Sequence, residues 1–212
     1  MPNNNQFNMT EHVKMVMESA LSLIDESASG TGVFSCGNLS EITRLELFQF
    51  VAYLSASDDA VQQTETDFLN RVFGENLNPD TLAAYLKNNS IRNGEFEKMI
   101  PFTLEILIQV DAVLASQKKG WRGNMSELLI SLYELLGEVF IESVPHTEVW
   151  EEFDLLAYVS FLKSFIHENM TDFNSASVVY KEDVIDELLS PSDGFIISSK
   201  KEDLGIIAPK KL

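Results

Sequence analysis

The sequence predicts an all-α protein, a single compact bundle of about eight helices. Three observations carry this. Apolar residues return every three or four positions in one segment after another, as side chains on one helix face do. No segment of ordinary strand length keeps an alternating apolar and polar pattern. Gly, Pro, Asn and Ser gather between the periodic segments, where turns need them. Apolar residues make up 45% of the chain and include 14 phenylalanines, which is enough to fill a core.

The elements follow in order. Thr10 is set to cap a first helix at 11–26, with Val13, Met17, Ala20, Leu21 and Ile24 on its stripe. Residues 27–40, SASGTGVFSCGNLS, break that pattern and read as a surface loop holding Cys36. Ser40 caps a second helix, whose seam is Leu47, Phe50, Val51 and Leu54 and which ends near Ser57. A shorter helix at 62–72 turns Phe68, Leu69 and Val72 inward. Asn78-Pro79-Asp80 opens the next, since proline is tolerated in a first turn, and Leu82, Ala83 and Leu86 form its stripe.

Asn93-Gly94 marks a turn, and Pro101 opens a long helix to about Lys118 with Leu104, Leu107, Ile108 and Leu114 inward. The locally basic KKGWRGN at 118–124 is another turn. Helix 125–142 carries a broad stripe through Leu128, Leu129, Leu132, Leu135, Leu136, Val139 and Phe140. The segment from Glu148 to Asn169 buries Leu155, Tyr158, Val159, Leu162, Phe165 and Ile166, and a last short helix is expected at 181–189. The helical domain then covers 1–190, and 191–212 is a tail with two lysine pairs. An apolar helix, a break and a second amphipathic helix occur near 47–73 and again near 128–166. That order suggests an internal pseudo-repeat, with halves at 11–90 and 91–190.

Charge limits the partners. A formal net charge of −18 opposes nucleic acid and anionic membrane, because no cationic face is present to displace counterions. No apolar run approaches the ~20 residues of a bilayer span. MPNNNQFNMTEH lacks the basic and apolar regions of a signal peptide, and the lone Cys36 has no partner for an internal disulfide. These features lead us to expect a cytoplasmic protein without membrane insertion. From Gly123 to Leu162 the charges are all acidic: Glu127, Glu134, Glu138, Glu142, Glu148, Glu151, Glu152 and Asp154, with no Lys or Arg. Such a run is either a solvated face or the footprint of a basic protein partner. In the second case Glu134, Glu138, Glu142, Glu148, Glu151, Glu152 and Asp154 would form the acidic surface, with Trp150 as an aromatic anchor.

Several groups could carry chemistry. The glycines of 27–40 lack both a Gly-Lys-Ser/Thr ending and a preceding strand, so a phosphate loop is not expected. Asp58 and Asp59 sit in the turn after the second helix, and Glu65 lies in the first turn of the third. Three carboxylates there could converge on a hard divalent cation, Ca²⁺ or Mg²⁺. The plainer alternative is that they cap helices and complement the helix dipole. Asp111 interrupts the stripe Leu104–Leu107–Asp111–Leu114, so it is either wet at the helix edge or paired with an Arg, a Lys or a metal at a buried polar site. His146 and His167 lack the spacings of zinc or di-iron helical sites and read as surface residues. Trp121 and Trp150 each adjoin a turn and read as core-edge packing.

The segment from Phe50 to Leu69 resembles the TerB-like family of helical bacterial domains. The family signature is an apolar helix, then Ala-Asp-Gly, a spacer with an aliphatic residue, and a Glu opening the next helix. Ala56, Asp58, Val61 and Glu65 match it, followed by Phe68 and Leu69. Ser57 intrudes after the alanine, and Asp59 replaces the glycine. The resemblance implies an all-α bundle with internal pseudo-symmetry, acting as an accessory module, in some members with a divalent metal. That metal role would fall on Asp58 and Glu65. Two functions are then expected to compete: a non-enzymatic acidic interaction module of TerB-like type, and an acidic immunity or inhibitor protein that neutralises a basic toxin or enzyme. A third, a carboxylate metallo-enzyme, needs Asp58, Asp59, Glu65 and Asp111 in one pocket.

Overall fold

A computed structural model describes residues 4–35, 39–56, 61–89, 96–117, 125–144 and 149–170. The described residues form seven α-helices and one short 3₁₀ turn, with no strand among them. In chain order these are α1 (Asn4–Thr31), α2 (Leu39–Leu54), α3 (Gln63–Phe73), α4 (Pro79–Asn88), the turn Phe96–Lys98, α5 (Phe102–Gln117), α6 (Met125–Ser143) and α7 (Val149–Met170). The expected helix at 181–189, the turns at 93–94 and 118–124, Cys36, His146, Trp121 and the tail lie outside the described residues.

The bundle is organised around α2. Of its 16 residues, 12 are buried, so only Ser40, Glu41, Arg44 and Leu45 of its first turns reach solvent, and it touches every other helix. Phe50, at its centre, stacks on Tyr158 of α7 at 5.3 Å and takes the edge of Tyr133 of α6 at 5.0 Å. Tyr53 stacks on Phe96 of the 3₁₀ turn at 4.5 Å. None of the described helices is long and apolar enough to cross a membrane.

Two sequence expectations change. Helix α1 does not stop at 26 but runs to Thr31, through the first part of the expected loop. Its buried stripe of Val13, Met17, Ala20 and Ile24 continues one turn further to Ala28, which is fully buried. Burial there outweighs the poor helix propensity of Gly30. Ser29 and Thr31 meanwhile fold their hydroxyls back onto the carbonyls of Asp25 and Ser27. Gly32 then ends the turn with φ at +71°, a conformation that favours glycine. Thr10, the expected cap, lies inside α1 and is buried.

Elsewhere the boundaries fall close to expectation. Asn78 caps α4 by accepting from the Thr81 backbone nitrogen at 2.9 Å. Pro101 immediately precedes α5, and its carbonyl accepts from the Leu104 nitrogen at 3.0 Å. Helices α6 and α7 close against each other at Gly137, where an added Cβ would come within 2.5 Å of Leu155 Cδ1.

Candidate functional site

The acidic turn is described only at its far end. Asp58 and Asp59 lie outside the described residues. Glu65 is wholly buried, and its Oε2 accepts from the backbone nitrogen of Gln62 at 2.7 Å. Gln62 answers with its own side chain, closing a capping box at the start of α3. One oxygen of the Glu65 carboxylate therefore serves its own helix. Among the described residues no group of three His, Cys, Asp or Glu side chains is arranged to hold a metal ion.

Asp111 is buried rather than wet. Its Oδ1 accepts from the Met125 nitrogen at 2.9 Å, and Oδ2 accepts from the Ser126 nitrogen at 3.0 Å and the Ser126 hydroxyl at 2.6 Å. A side chain in the third turn of α5 thus caps α6 from outside, where the first N–H groups of a helix lack partners of their own. Backbone and serine donors thus take the place of the expected Arg, Lys or metal partner, and Asp111 is a structural cap.

The same device occurs twice more. Asp25 of α1 accepts from the Ser40 nitrogen in the first turn of α2, at 2.8 Å. Glu46 of α2 accepts from the nitrogens of Phe102, at 2.6 Å, and Thr103, at 3.3 Å, in the first turn of α5. Three carboxylates therefore link α1 to α2, α2 to α5 and α5 to α6, each through a helix N-terminus. Burial pushes the Glu46 carboxyl up to about 7, although the hydrogen bonds from Thr103 and Phe102 pull the other way. A buried carboxyl that titrates near neutrality would suit acid–base work if substrate could reach it. The cavity beside it measures only about 10 Å³, whereas ligand pockets begin near ~300 Å³.

The acidic run maps mainly onto α6 and α7. Glu134, Glu138 and Glu142 recur at helical spacing along α6, with Glu127 two turns before Glu134. Lys163 of α7 pairs with Glu134, which places Lys163, Leu156 and Glu152, spaced at seven and four residues, along the same seam. A groove of about 520 Å³ lies around the Glu134–Lys163 pair, lined by Glu127, Ile130, Ser131 and Glu134 from α6 and Lys163, Ile166 and His167 from α7. Glu138, Glu142 and Glu152 are exposed, and so are the apolar Phe153 and Leu156, at 64% and 67%. His167 is exposed on the groove, in keeping with a surface histidine.

Two members of the expected surface differ. Glu151 is 2% exposed and belongs to the interior of the α7 start, so the surface loses it. Asp154 is only half-buried. The side chain of Trp150, and all of Glu148, lie outside what is described. Phe153 and Leu156 were missed from the sequence because they look like further core positions on a helix that is apolar on several sides. No protein-family model matches the chain, and no curated protein or solved structure shows significant similarity to it.

Proposed function

We propose that this chain is a non-enzymatic helical interaction module of TerB-like type that engages a basic protein segment along the exposed surface of the α6–α7 pair. One observation carries the reading. Glu138, Glu142 and Glu152 are exposed on the same helix pair as two large exposed apolar side chains, Phe153 and Leu156. Acids steer a cationic partner and select against acidic ones, while a clustered apolar pair supplies the area that holds it. Lys163 pairs with Glu134, and the exposed Glu138, Glu142 and Glu152 leave this surface net negative. The occupant that fits is an amphipathic basic helix, laying an apolar strip on Phe153 and Leu156 with Lys or Arg flanking it.

The divalent-ion role is the second part of the TerB-like reading. It would rest on Asp58 and Asp59 with Glu65 at the start of α3, and titrating chelator-stripped protein with Ca²⁺ and Mg²⁺ beside Asp58→Asn tests it.

Binding of a fluorescein-labelled Lys/Leu amphipathic helical peptide, followed by anisotropy, tests the interaction reading. Affinity should fall with added salt, and by about tenfold in Glu138→Lys/Glu142→Lys. Binding that ignores both salt and the charge reversals would contradict it.

A further inference from the structure

The interior holds a polar group whose needs the protein alone does not meet. Tyr133 of α6 is buried, and its hydroxyl finds no hydrogen-bond partner among the described residues. Buried hydroxyls are nearly always satisfied, by protein or by an ordered water. Burial, and after it the neighbouring Tyr158 phenol and the charge of Glu46, push the Tyr133 pKa well above its usual range. The phenol therefore keeps its proton and remains a donor in search of an acceptor.

A cavity adjoins it. Its volume, about 10 Å³, is close to that of a single probe sphere, the least that accommodates one water. The lining includes Glu46 and Gln49 of α2, Tyr133 of α6 and Tyr158 of α7, with Phe96 and Pro101 from the segment leading into α5. Four of these side chains carry polar atoms, and a buried water requires two to four such partners. Gln49 gives its amide N–H to the Tyr85 hydroxyl at 3.1 Å, which leaves its carbonyl oxygen for another donor.

We infer that this cavity is a binding site for one water molecule, which accepts from the Tyr133 hydroxyl and donates to the Glu46 carboxyl. The water ties α2, α6, α7 and the entry to α5 together at one point. It also extends the Glu46 cap: one face of the carboxyl holds the first turn of α5, and the other holds the water. Glu105 of α5 and the phenols of Tyr133 and Tyr158 are the titratable groups that face Glu46. None of them is a cation that could replace the water as a donor. The site is independent of the α6–α7 groove.

A crystal structure of the full chain that resolves ordered solvent, together with a ¹³C NMR titration of the Glu46 carboxyl, tests the inference. The expected result is one solvent peak within about 3.2 Å of both Tyr133 Oη and a Glu46 oxygen. In Tyr133→Phe the Glu46 midpoint should move upward, because the water loses the donor that orients it toward the carboxylate. A dry cavity, a Tyr133 hydroxyl bonded directly to a protein acceptor, or a midpoint unmoved by Tyr133→Phe would overturn it. If Tyr133→Phe does not fold, the wild-type solvent peak decides alone.

Discussion

Asp111 and Ser126 meet at the start of α6, where one carboxyl oxygen takes both the backbone N–H and the hydroxyl of the same serine, at 3.0 and 2.6 Å. Neither residue is near the other in sequence, and both are buried. The pair turns a charge on an apolar stripe from a liability into a joint between α5 and α6. Asp111→Ala should cost about 3 kcal/mol, since it strands three donors in the interior. Asp111→Asn should cost somewhat less, because the amide keeps one acceptor oxygen. Urea denaturation reads both as a lower midpoint at unchanged slope.

Gly137 sets the distance between α6 and α7. A Cβ there would meet Leu155 at 2.5 Å (Cδ1) and 2.9 Å (Cδ2), and Leu155 is itself buried. Gly137→Ala should therefore destabilise by about 1 kcal/mol net, overpacking outweighing the gain in helix propensity. The double variant Gly137→Ala/Leu155→Ala should be more stable than the two single costs added together. A double-mutant cycle in thermal unfolding measures that coupling.

Glu46 makes stability depend on pH with a definite sign. Its carboxyl titrates at about 7 in the folded protein, against 4.5 ordinarily, so the folded state holds the proton more tightly. The contribution is fully present below pH 4.5 and is lost as pH rises through 7, a change on the order of 3 kcal/mol. Glu46→Gln removes this dependence while keeping an acceptor for the Phe102 nitrogen. Unfolding free energies of the two proteins should converge at low pH and separate by pH 8, the variant being the more stable.

These relationships explain what the sequence discloses and what it withholds. The stripe Val13–Met17–Ala20–Ile24 is visible as periodicity, because helical burial is a local pattern repeated along the chain. Its extension to Ala28 is hidden by the Ser and Gly around it, whose turn preference loses to packing against other helices. Asp111 stands out as a charge at a core position, but its partners lie 14 and 15 residues away across a turn, so the cap is a tertiary fact. Glu46 carries the same signal, since it falls on the seam of Thr43 and Phe50, yet in a helix buried over most of its surface no single stripe marks it out. Glu65 shows the limit of motif reading. A glutamate three residues after the N-cap has the position of a capping box whether or not it is also a ligand. On α7, Phe153 and Leu156 are indistinguishable from core until the neighbouring helices are in place.

A basic amphipathic segment docked on the exposed α6–α7 surface would leave a local footprint there. The most direct measurement is an amide ¹H–¹⁵N footprint of a Lys/Leu amphipathic helical peptide titrated into the labelled full chain. Shifts should concentrate at Glu138, Glu142, Glu152, Phe153, Leu156 and Lys163, and should be lost in Phe153→Ser/Leu156→Ser with the fold intact. Shifts spread evenly over the acidic surface, or a footprint indifferent to the Phe153 and Leu156 substitutions, would contradict it.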